Sequence, residues 1–544
     1  MKISAKHLLG IAVFLVSFAI LLISVTDYGL TWDEPYYIAH GNRLQQWFGL
    51  LIQNQAPFSD PNVNNLIQFD RYHNCHPPFY KLSGLLFKNL LGKYLFSNIL
   101  YQYRVSTIFW SSLLTAILFL YLHRAYQSHL ISLLGAGIFF TVPRFFVHMH
   151  LFATDAIIVS LYFAALYLFI FGKNRLSAIL GGMSGGALLA SKFTGVLLFP
   201  ILLIIAPCFS DRKEYARRFV FFIPATILGF VLFDIHLWVG FWQEIIFYFR
   251  SVLDRESVVP IGTLFFGKVY DFRLPWYQPL IMLGICIPFV VIVFAIFSPI
   301  CGRFNRHRKY WIFELLPLIF LILIFSLPRT PKHDGIRLFS LAWPHLILLS
   351  IRGVCGISRL INWLIINRVV PSGSKVGVRV KRGVVIALLF FTLLINISTL
   401  INYHPYQLSF YNAAIGGPAG AAKKGFTISY WYEALDQNFL SKLNARHKND
   451  SVVIFSYPNS DILEYNRVLG FVNPEIKTTS KPQEADYILI MNRIIRQQMS
   501  KLLQGRNSEI TASTPDDVWI LSLFDNRQKR PKQVSYLKQM ARRE

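Results

Sequence analysis

Charged residues are scarce in this sequence. Asp, Glu, Lys and Arg make up 15% of its 544 residues, whereas a typical soluble protein has about 25%. Hydrophobic residues make up 54%. Because hydrocarbon excludes uncompensated charge, this composition favours a polytopic membrane protein and argues against a soluble enzyme.

Cysteine is also rare. The count of five is odd, and four of the cysteines lie in or beside apolar runs, so the sequence does not encode a disulfide framework. There is neither a CxxC pair nor a Cys/His spacing typical of zinc. Acidic residues are few as well, and the formal net charge of +26 leaves nucleic acid to be considered as a partner.

Long apolar runs are abundant instead. Residues 8–25 follow Lys2 and Lys6 without a small-residue cleavage site, so we interpret them as an uncleaved first membrane helix rather than a signal peptide. Further runs bring the predicted number of spans to about eleven. They lie at 103–122, 129–143, 153–171, 176–190, 195–209, 219–239, 278–300, 311–327, 338–351 and 384–402, and those at 129–143, 176–190 and 338–351 are short.

Basic residues occupy alternate loops between the predicted spans. By the positive-inside rule, these loops and the N-terminus face the cytoplasm. The basic loops are 123–129, 172–175, 210–218, 301–309 and 352–383. They account for much of the positive charge, which argues against a nucleic-acid partner. The predicted outer segments are 26–102, 144–152, 191–194, 240–277, 328–337 and everything after 403.

Carboxylates collect at the predicted outer boundary. The motif TWDEP contributes Asp33 and Glu34, and the motif FATD contributes Asp155. Plainer structural roles are open: Asp33 could cap a helix predicted over 36–53, with Pro35 in its first turn, and Asp155 could cap the fourth span.

Cations collect on the same side, against the positive-inside rule. The motif PRTPKHDGIR contributes Lys332 and Arg337, and the motif SKFTG contributes Lys192. Lys192 could instead extend toward the interface, and Asp334-Gly335 is a turn dipeptide. Together the cations suggest a specific anion, for which phosphate is the best candidate. A lipid phosphate would keep its tail in the bilayer and its reacting carbon near a carboxylate base.

The order of these motifs resembles the GT-C-type glycosyltransferases of the protein mannosyltransferase and aminoarabinose transferase superfamily, which are glycosyltransferase family 39-like. The resemblance covers roughly residues 8–430. Its marks are TWDEP, HPPFYKL, FATDAIIVSLYFAALYLF, ASKFTGVLLFP, KHDGIRLFSLAWP and HPYQLSFYNAAIGG. It implies a multi-pass enzyme of a bacterial inner membrane that transfers a monosaccharide from a polyprenyl-phosphate donor. The acceptor would be a protein, lipid A or another glycolipid on the periplasmic side.

The resemblance also implies residue roles. Asp33 is expected to act as the general base in an inverting attack. Glu34 and Asp155 are expected to position the acceptor, and the three carboxylates are the candidate ligands of a divalent metal ion. The donor phosphate is expected to contact Lys192, Lys332, His333 and Arg337. The substrate is also expected to contact His76, Tyr80 and Lys81.

The composition changes after Pro405. A helix over 433–446 and strand-like runs at 452–457, 485–491 and 518–524 predict a small α/β domain. We therefore divide the chain into a transmembrane catalytic domain (1–402), whose first outer loop (26–102) carries amphipathic helices, and an extracytoplasmic domain (403–544). The basic end of that domain would contact anionic lipid headgroups.

Other activities stay open. A flippase or transporter of lipid-linked sugar would also bind phosphate, but it would need polar residues through the middle of the membrane, and internal repeats are frequent in such proteins. The sequence shows neither. A ligase that transfers a whole glycan is the other alternative, and a non-catalytic scaffold would leave the convergent polar residues without a purpose.

Overall fold

The protein is a polytopic α-helical membrane protein with a small C-terminal sheet. The computed structural model describes residues 4–53, 65, 76–209, 212–253, 261–302, 305–361, 364, 375–448, 450–494 and 506–527. Within these residues, seven helices are long and apolar enough to cross a membrane. Parts of the first outer loop, of the basic loops 210–218, 301–309 and 352–383, and the basic C-terminal end lie outside the described residues.

The helices follow the apolar runs of the sequence. In chain order they are α1 (Ala5–Ile23), α2 (Glu34–Ile52), α3 (Phe79–Phe87), α4 (Lys93–Leu95), α5 (Ile99–Tyr126), α6 (His129–Phe140), α7 (Pro143–His148), α8 (Thr154–Phe171), α9 (Arg175–Leu189), α10 (Leu198–Ile205), α11 (Arg212–Phe233), α12 (His236–Leu253), α13 (Gln278–Cys286), α14 (Phe289–Ile296), α15 (Ser298–Gly302), α16 (Asn305–Ser326), α17 (Trp343–Ile361), α18 (Lys375–Tyr403), α19 (Gly417–Lys423), α20 (Gln437–Arg446) and α21 (Ile462–Val468).

The predicted number of spans, about eleven, is higher than the number of helices in the described residues that could cross the membrane. Besides the seven, α13 and the helical stretch Phe289–Cys301 form a pair bent by 119° that could make an eighth. The predicted spans at 129–143, 176–190 and 195–209 are helical but short. The predicted span at 338–351, in contrast, belongs to a helical stretch of 25 residues, Arg337–Ile361.

The short helix α9 packs against α11 through a buried, glycine-rich face, whereas Leu176, Ile179 and Leu180 are exposed. Its sequence GGMSGG lets α11 approach closely. A Cβ atom at Gly182 would lie 2.4 Å from the Phe222 carbonyl oxygen, and one at Gly186 would lie 2.6 Å from that of Thr226. Small residues that allow close backbone approach are typical of helix pairs in membranes.

The C-terminal region contains a five-stranded mixed sheet. Its strands are β3 (Val452–Tyr457), β4 (Ile476–Thr478), β5 (Tyr487–Met491), β6 (Ser508–Ser513) and β7 (Trp519–Asp525), after a short hairpin of β1 (Thr263–Phe265) and β2 (Lys268–Tyr270). The sheet order is β4-β3-β5-β7-β6. Strands β3, β4 and β5 are parallel, whereas β7 is antiparallel to β5 and β6. The three predicted strands match β3, β5 and β7, and the predicted helix at 433–446 begins later, at Gln437.

The segment between α18 and the sheet returns to the helical bundle. The backbone amide of Gly29 donates to the Glu433 carbonyl oxygen at 3.0 Å. Arg144 donates to the Phe410 carbonyl oxygen at 2.9 Å. Residues 404–436 therefore pack against the loops at one end of the bundle, although the sequence assigned them to the C-terminal domain.

Candidate functional site

Loops that are distant in sequence meet at one end of the helical bundle. We call this end the site face and define it by residues 29–36, 143–155, 190–193, 332–337 and 429–433, together with Arg104 and Arg493. Hydrogen bonds and ion pairs, described below, join these segments. The predicted acidic and basic motifs thus lie together, as expected from their placement on one side of the membrane.

Asp33 lies at the centre of the site face. It precedes the first turn of α2, yet its side chain makes no capping hydrogen bond. Instead, its Oδ2 accepts hydrogen bonds from Arg337 Nη1 at 3.0 Å and from Trp431 Nε1 at 3.1 Å. Within the described residues, Oδ1 accepts no hydrogen bond, and the side chain is 20% exposed. One oxygen of the carboxylate is therefore anchored and the other is available.

Arg337 joins Asp33 to a second carboxylate. Its Nη2 lies 3.2 Å from Asp334 Oδ2, and its guanidinium stacks on the Trp431 ring with 4.2 Å to the centroid. Asp334 in turn pairs with Arg493 of the C-terminal region at 2.8 Å. Burial by itself raises the pKa of Asp334, but the charges of Arg493 and Arg337 outweigh it and hold the pKa below its usual range.

The Asp334-Gly335 pair is a turn with a further role. Both residues have positive φ angles, +56° and +67°, a conformation that glycine adopts without strain. A Cβ atom at Gly335 would lie 2.5 Å from Arg144 Nη1. The turn therefore brings Asp334 between two arginines while its glycine leaves room for a third.

Glu34 has a different environment from its neighbour Asp33. It is fully buried and forms a two-bond ion pair with Arg104 of α5, with both bonds at 2.8 Å. Its oxygens also accept from the Thr31 amide and hydroxyl and from the Phe152 amide. The carboxylate thus holds the TWDEP loop against α5 and the FATD loop, and the structure does not place it to position an acceptor.

Asp155 and Lys192 form a further ion pair of the site face. The Lys192 ammonium lies 3.0 Å from Asp155 Oδ1 and 3.2 Å from Thr154 Oγ1. Asp155 lies in the first turn of α8, but the helix has no side-chain cap. Lys192 is largely buried and does not extend away to the interface.

Aromatic and imidazole groups fill the space around these pairs. Tyr80 is buried and packs edge-on against Tyr37. Burial raises the pKa of Tyr80, and the Asp33 and Asp155 carboxylates are close enough to raise it further. His148 contacts the Trp431 ring, and burial lowers its pKa to about 3, so the imidazole is neutral.

Other predicted binding residues lie apart from this cluster or have other partners. The Lys332 ammonium is buried and donates to the Leu327 and Thr330 carbonyl oxygens at 2.6 and 3.1 Å, and burial lowers its pKa to about 8. Lys332 therefore caps carbonyl groups just after α16 rather than presenting a charge to a phosphate. Its neighbour His333 is buried close to Asp334.

Lys81 occupies a separate buried position. Its ammonium donates to the His76 carbonyl oxygen at 3.2 Å. Burial lowers its pKa, which the nearby Asp234 carboxylate raises in part. The structure thus places the Lys81 ammonium near Asp234 and the His76 carbonyl group, whereas Tyr80 of the same motif lies near the Asp33 and Asp155 carboxylates.

The candidate carboxylates do not form a metal site in the described part of the chain. No group of three or more His, Cys, Asp or Glu side chains is arranged there to hold an ion. Asp33, Glu34 and Asp155 each pair with their own cation, Arg337, Arg104 and Lys192, respectively. We therefore derive no step through a metal.

Several residues of the site face were not predicted from the sequence. Trp431 and Arg493 follow the last span by many residues, and Arg104 lies within an apolar run. The aromatic stretch SYWYE (429–433) in an otherwise polar segment is the one signal that could have pointed to Trp431. Arg104 and Arg493 become recognisable only through their carboxylate partners.

Comparisons with known proteins give structural matches alone. No family model and no curated protein match the chain. The crystal structure of ArnT from Cupriavidus metallidurans bound to undecaprenyl phosphate has a TM-score of 0.48 and 12% identity, and the match covers 97% of this chain and 99% of that one. The apo structure of the same protein gives 0.46 and 13%, with 96% and 97% covered.

Proposed function

We propose that the chain is a glycosyltransferase that moves a monosaccharide from a polyprenyl-phosphate donor to an acceptor on the extracytoplasmic side of a membrane. The proposal rests on the environment of Asp33. One oxygen of this carboxylate is hydrogen-bonded and the other is available, and the side chain lies beside two buried arginine-carboxylate pairs at one end of a membrane bundle. The site combines a candidate base with cations for a phosphate. A lipid carrier suits this place because its chain stays in hydrocarbon while its phosphate reaches the site face.

In this proposal Asp33 is the general base. Its Oδ1 takes the proton of an acceptor hydroxyl, and the acceptor oxygen then forms a bond to the anomeric carbon of the sugar. The bond between that carbon and the phosphate oxygen breaks, and its electron pair leaves with the polyprenyl phosphate. Arg337 and Trp431 hold Oδ2, so the carboxylate is fixed before the acceptor arrives, which removes reorganisation from the reaction.

Arg337 is the cation best placed to stabilise the leaving phosphate. Its Nη1 and Nη2 bind Asp33 and Asp334, and within the described residues its buried Nε donates no hydrogen bond. A phosphate oxygen beside Arg337 would accept a hydrogen bond from Nε, which has no acceptor within the described residues. Lys192 is the second candidate, with Asp155 and Thr154 fixing its position.

The alternative of a flippase has less support. The described residues include one buried ion pair within the spans, between Glu314 and Arg352, and both side chains are fully occluded. A transport path would need polar groups along a continuous cavity. The ion pairs of the site face instead lie together at one end of the bundle.

The test is transfer of sugar from radiolabelled polyprenyl-phosphate monosaccharides by the purified chain in liposomes, with native membrane extract as the source of acceptor. We expect label to move from the lipid into an acceptor fraction, whose behaviour on extraction would identify it as protein or glycolipid. Liposomes without the chain are the control. Faster movement of intact lipid-linked sugar across the bilayer without transfer would instead establish a flippase.

A further inference from the structure

A cleft of about 500 Å³ opens beside the site face, between the first outer loop and the C-terminal sheet. Trp32 and Tyr36 line one side, and residues 457–460 line the other. Trp32 is adjacent in sequence to Asp33. Arg493, which also lines the cleft, pairs with Asp334 at 2.8 Å and stacks on the Trp32 ring with 4.6 Å to its centroid.

The sheet topology makes this cleft a natural binding place. From β3 the chain continues to β4 on one side of β3 and then crosses to β5 on the other. Residues 457–460 lie at and after the carboxyl end of β3, and Arg493 follows the carboxyl end of β5. In open α/β sheets, ligands bind in the crevice outside the carboxyl ends of parallel strands, at the point where the strand order reverses.

The lining favours an uncharged polar ligand. Of the residues that line the cleft in the described part of the chain, Arg493 alone is charged, and Asp334 offsets its charge. Trp32, Tyr36 and Tyr457 supply aromatic surface. Aromatic rings with polar groups between them suit a ligand that is apolar on its faces and hydrogen-bonding at its edge.

A peptide that binds by adding a strand would find little edge at the cleft. Strand β5 is paired on both sides, by β3 and β7, and β3 is paired by β5 over 454–457 and by β4 over 452–454. Strand addition needs an unpaired edge, which β3 offers at the cleft only over 455–457, on the β4 side. A polar side chain is available at the cleft instead. Asn459 Oδ1 accepts a hydrogen bond from the Asp461 amide. Within the described residues, the side-chain N–H groups of Asn459 donate no hydrogen bond.

We propose that this cleft binds the carbohydrate rings of a glycan acceptor and presents them to Asp33. The proposal rests on the function proposed above and names the class of its acceptor. Tyr457 would stack on a sugar ring, and Asn459 would bind its hydroxyl groups. Trp32, which lines the cleft and precedes Asp33 in the sequence, would contact the acceptor next to the base.

Saturation-transfer NMR on the purified full chain tests this, in a detergent without a sugar headgroup. The probes are chitotriose, maltotriose and a Ser/Thr-containing octapeptide. We expect saturation transfer to the ring protons of at least one oligosaccharide. Tyr457→Ala should reduce the signal about fivefold or more, and Asn459→Ala, a milder change, should reduce it less. Tyr94→Ala, which alters a 73% exposed tyrosine outside the cleft, is the matched control and should bind as the native chain does.

The failures of the two proposals are distinguishable. Asp33→Asn should bind the oligosaccharide normally, because binding does not require transfer. Absence of sugar transfer together with Tyr457-dependent binding would overturn the proposed transferase activity but leave the cleft as a carbohydrate-binding site. Binding of the octapeptide alone, binding of none of the probes, or equal oligosaccharide signals from the native chain and Asn459→Ala would overturn the cleft proposal even if transfer occurs.

Discussion

At the scale of single residues, the adjacent carboxylates Asp33 and Glu34 have different tasks. Glu34 accepts hydrogen bonds on both oxygens and is closed to substrate. Asp33 keeps one oxygen available beside a partly exposed surface. Both residues lie in one motif. Their different roles could not be predicted from the sequence, because Arg104, the partner of Glu34, lies 70 residues further along the chain.

Glu34→Gln should therefore destabilise the fold. It leaves the buried Arg104 without its counter-charge, and breaking such a pair costs about 3–5 kcal/mol. Thermal unfolding in detergent would show a lower melting temperature than for the native chain. Asp33→Asn is the matched control and should melt close to the native chain, because Arg337 keeps Asp334 as a partner. Equal melting of Glu34→Gln and the native chain would contradict the structural role of Glu34.

At the scale of elements, apolar runs predicted where the helices lie but not how many cross the membrane. Helices α6 and α9 arise from runs that the sequence alone treats as spans, yet they have 12 and 15 residues. Close packing of glycines decides the position of α9, and this depends on α11. The strands of the C-terminal region were predicted well because β3, β5 and β7 are continuous apolar runs, whereas the short β4 and the more polar β6 lack that signal.

One buried ion pair joins three helices within the membrane. Arg352 of α17 bonds to both oxygens of Glu314 of α16, and Tyr121 of α5 donates to the same carboxylate at 2.8 Å. All three side chains are buried. The pair therefore fixes the relative position of these helices at the cost of burying two charges.

Single and double substitutions at this pair should differ in how much stability they remove. Glu314→Leu or Arg352→Met alone leaves one buried charge and should lower the free energy of unfolding by about 3–5 kcal/mol. The double variant removes both charges and should recover most of that loss. Urea unfolding in detergent would measure it, and a double variant that is as unstable as the sum of the singles would show that the charges do not interact.

At the scale of the whole molecule, the site face and the described basic loops 123–129 and 172–175 lie at opposite ends of the spans, since the helix that begins at Thr154 on the site face ends at Phe171, just before loop 172–175. The positive-inside rule predicts that the site face lies outside the cytoplasm, together with the C-terminal region that contributes Arg493 to it. The motifs predicted much of the site face because each follows or precedes a span. Trp431 and Arg493 were not predictable, since their contacts depend on how residues after 403 return to the bundle.

Cysteine labelling in intact cells would test this orientation. In a cysteine-free background, Glu475→Cys, immediately before β4, should react with a membrane-impermeant maleimide, because the side chain is exposed. Lys173→Cys, in a basic loop and also exposed, should react only after the cells are permeabilised. The reverse pattern would put the site face in the cytoplasm and remove the basis for an extracytoplasmic acceptor.

The transfer rate of Asp33→Asn measures whether Asp33 is the base of a sugar transfer. With saturating polyprenyl-phosphate sugar, we expect a loss of about 100-fold or more at unchanged protein level and melting temperature. Asp27→Asn, the same change at an exposed carboxylate that pairs with His404, should transfer at the native rate. Transfer by Asp33→Asn at the native rate would show that another group accepts the proton and would contradict the account.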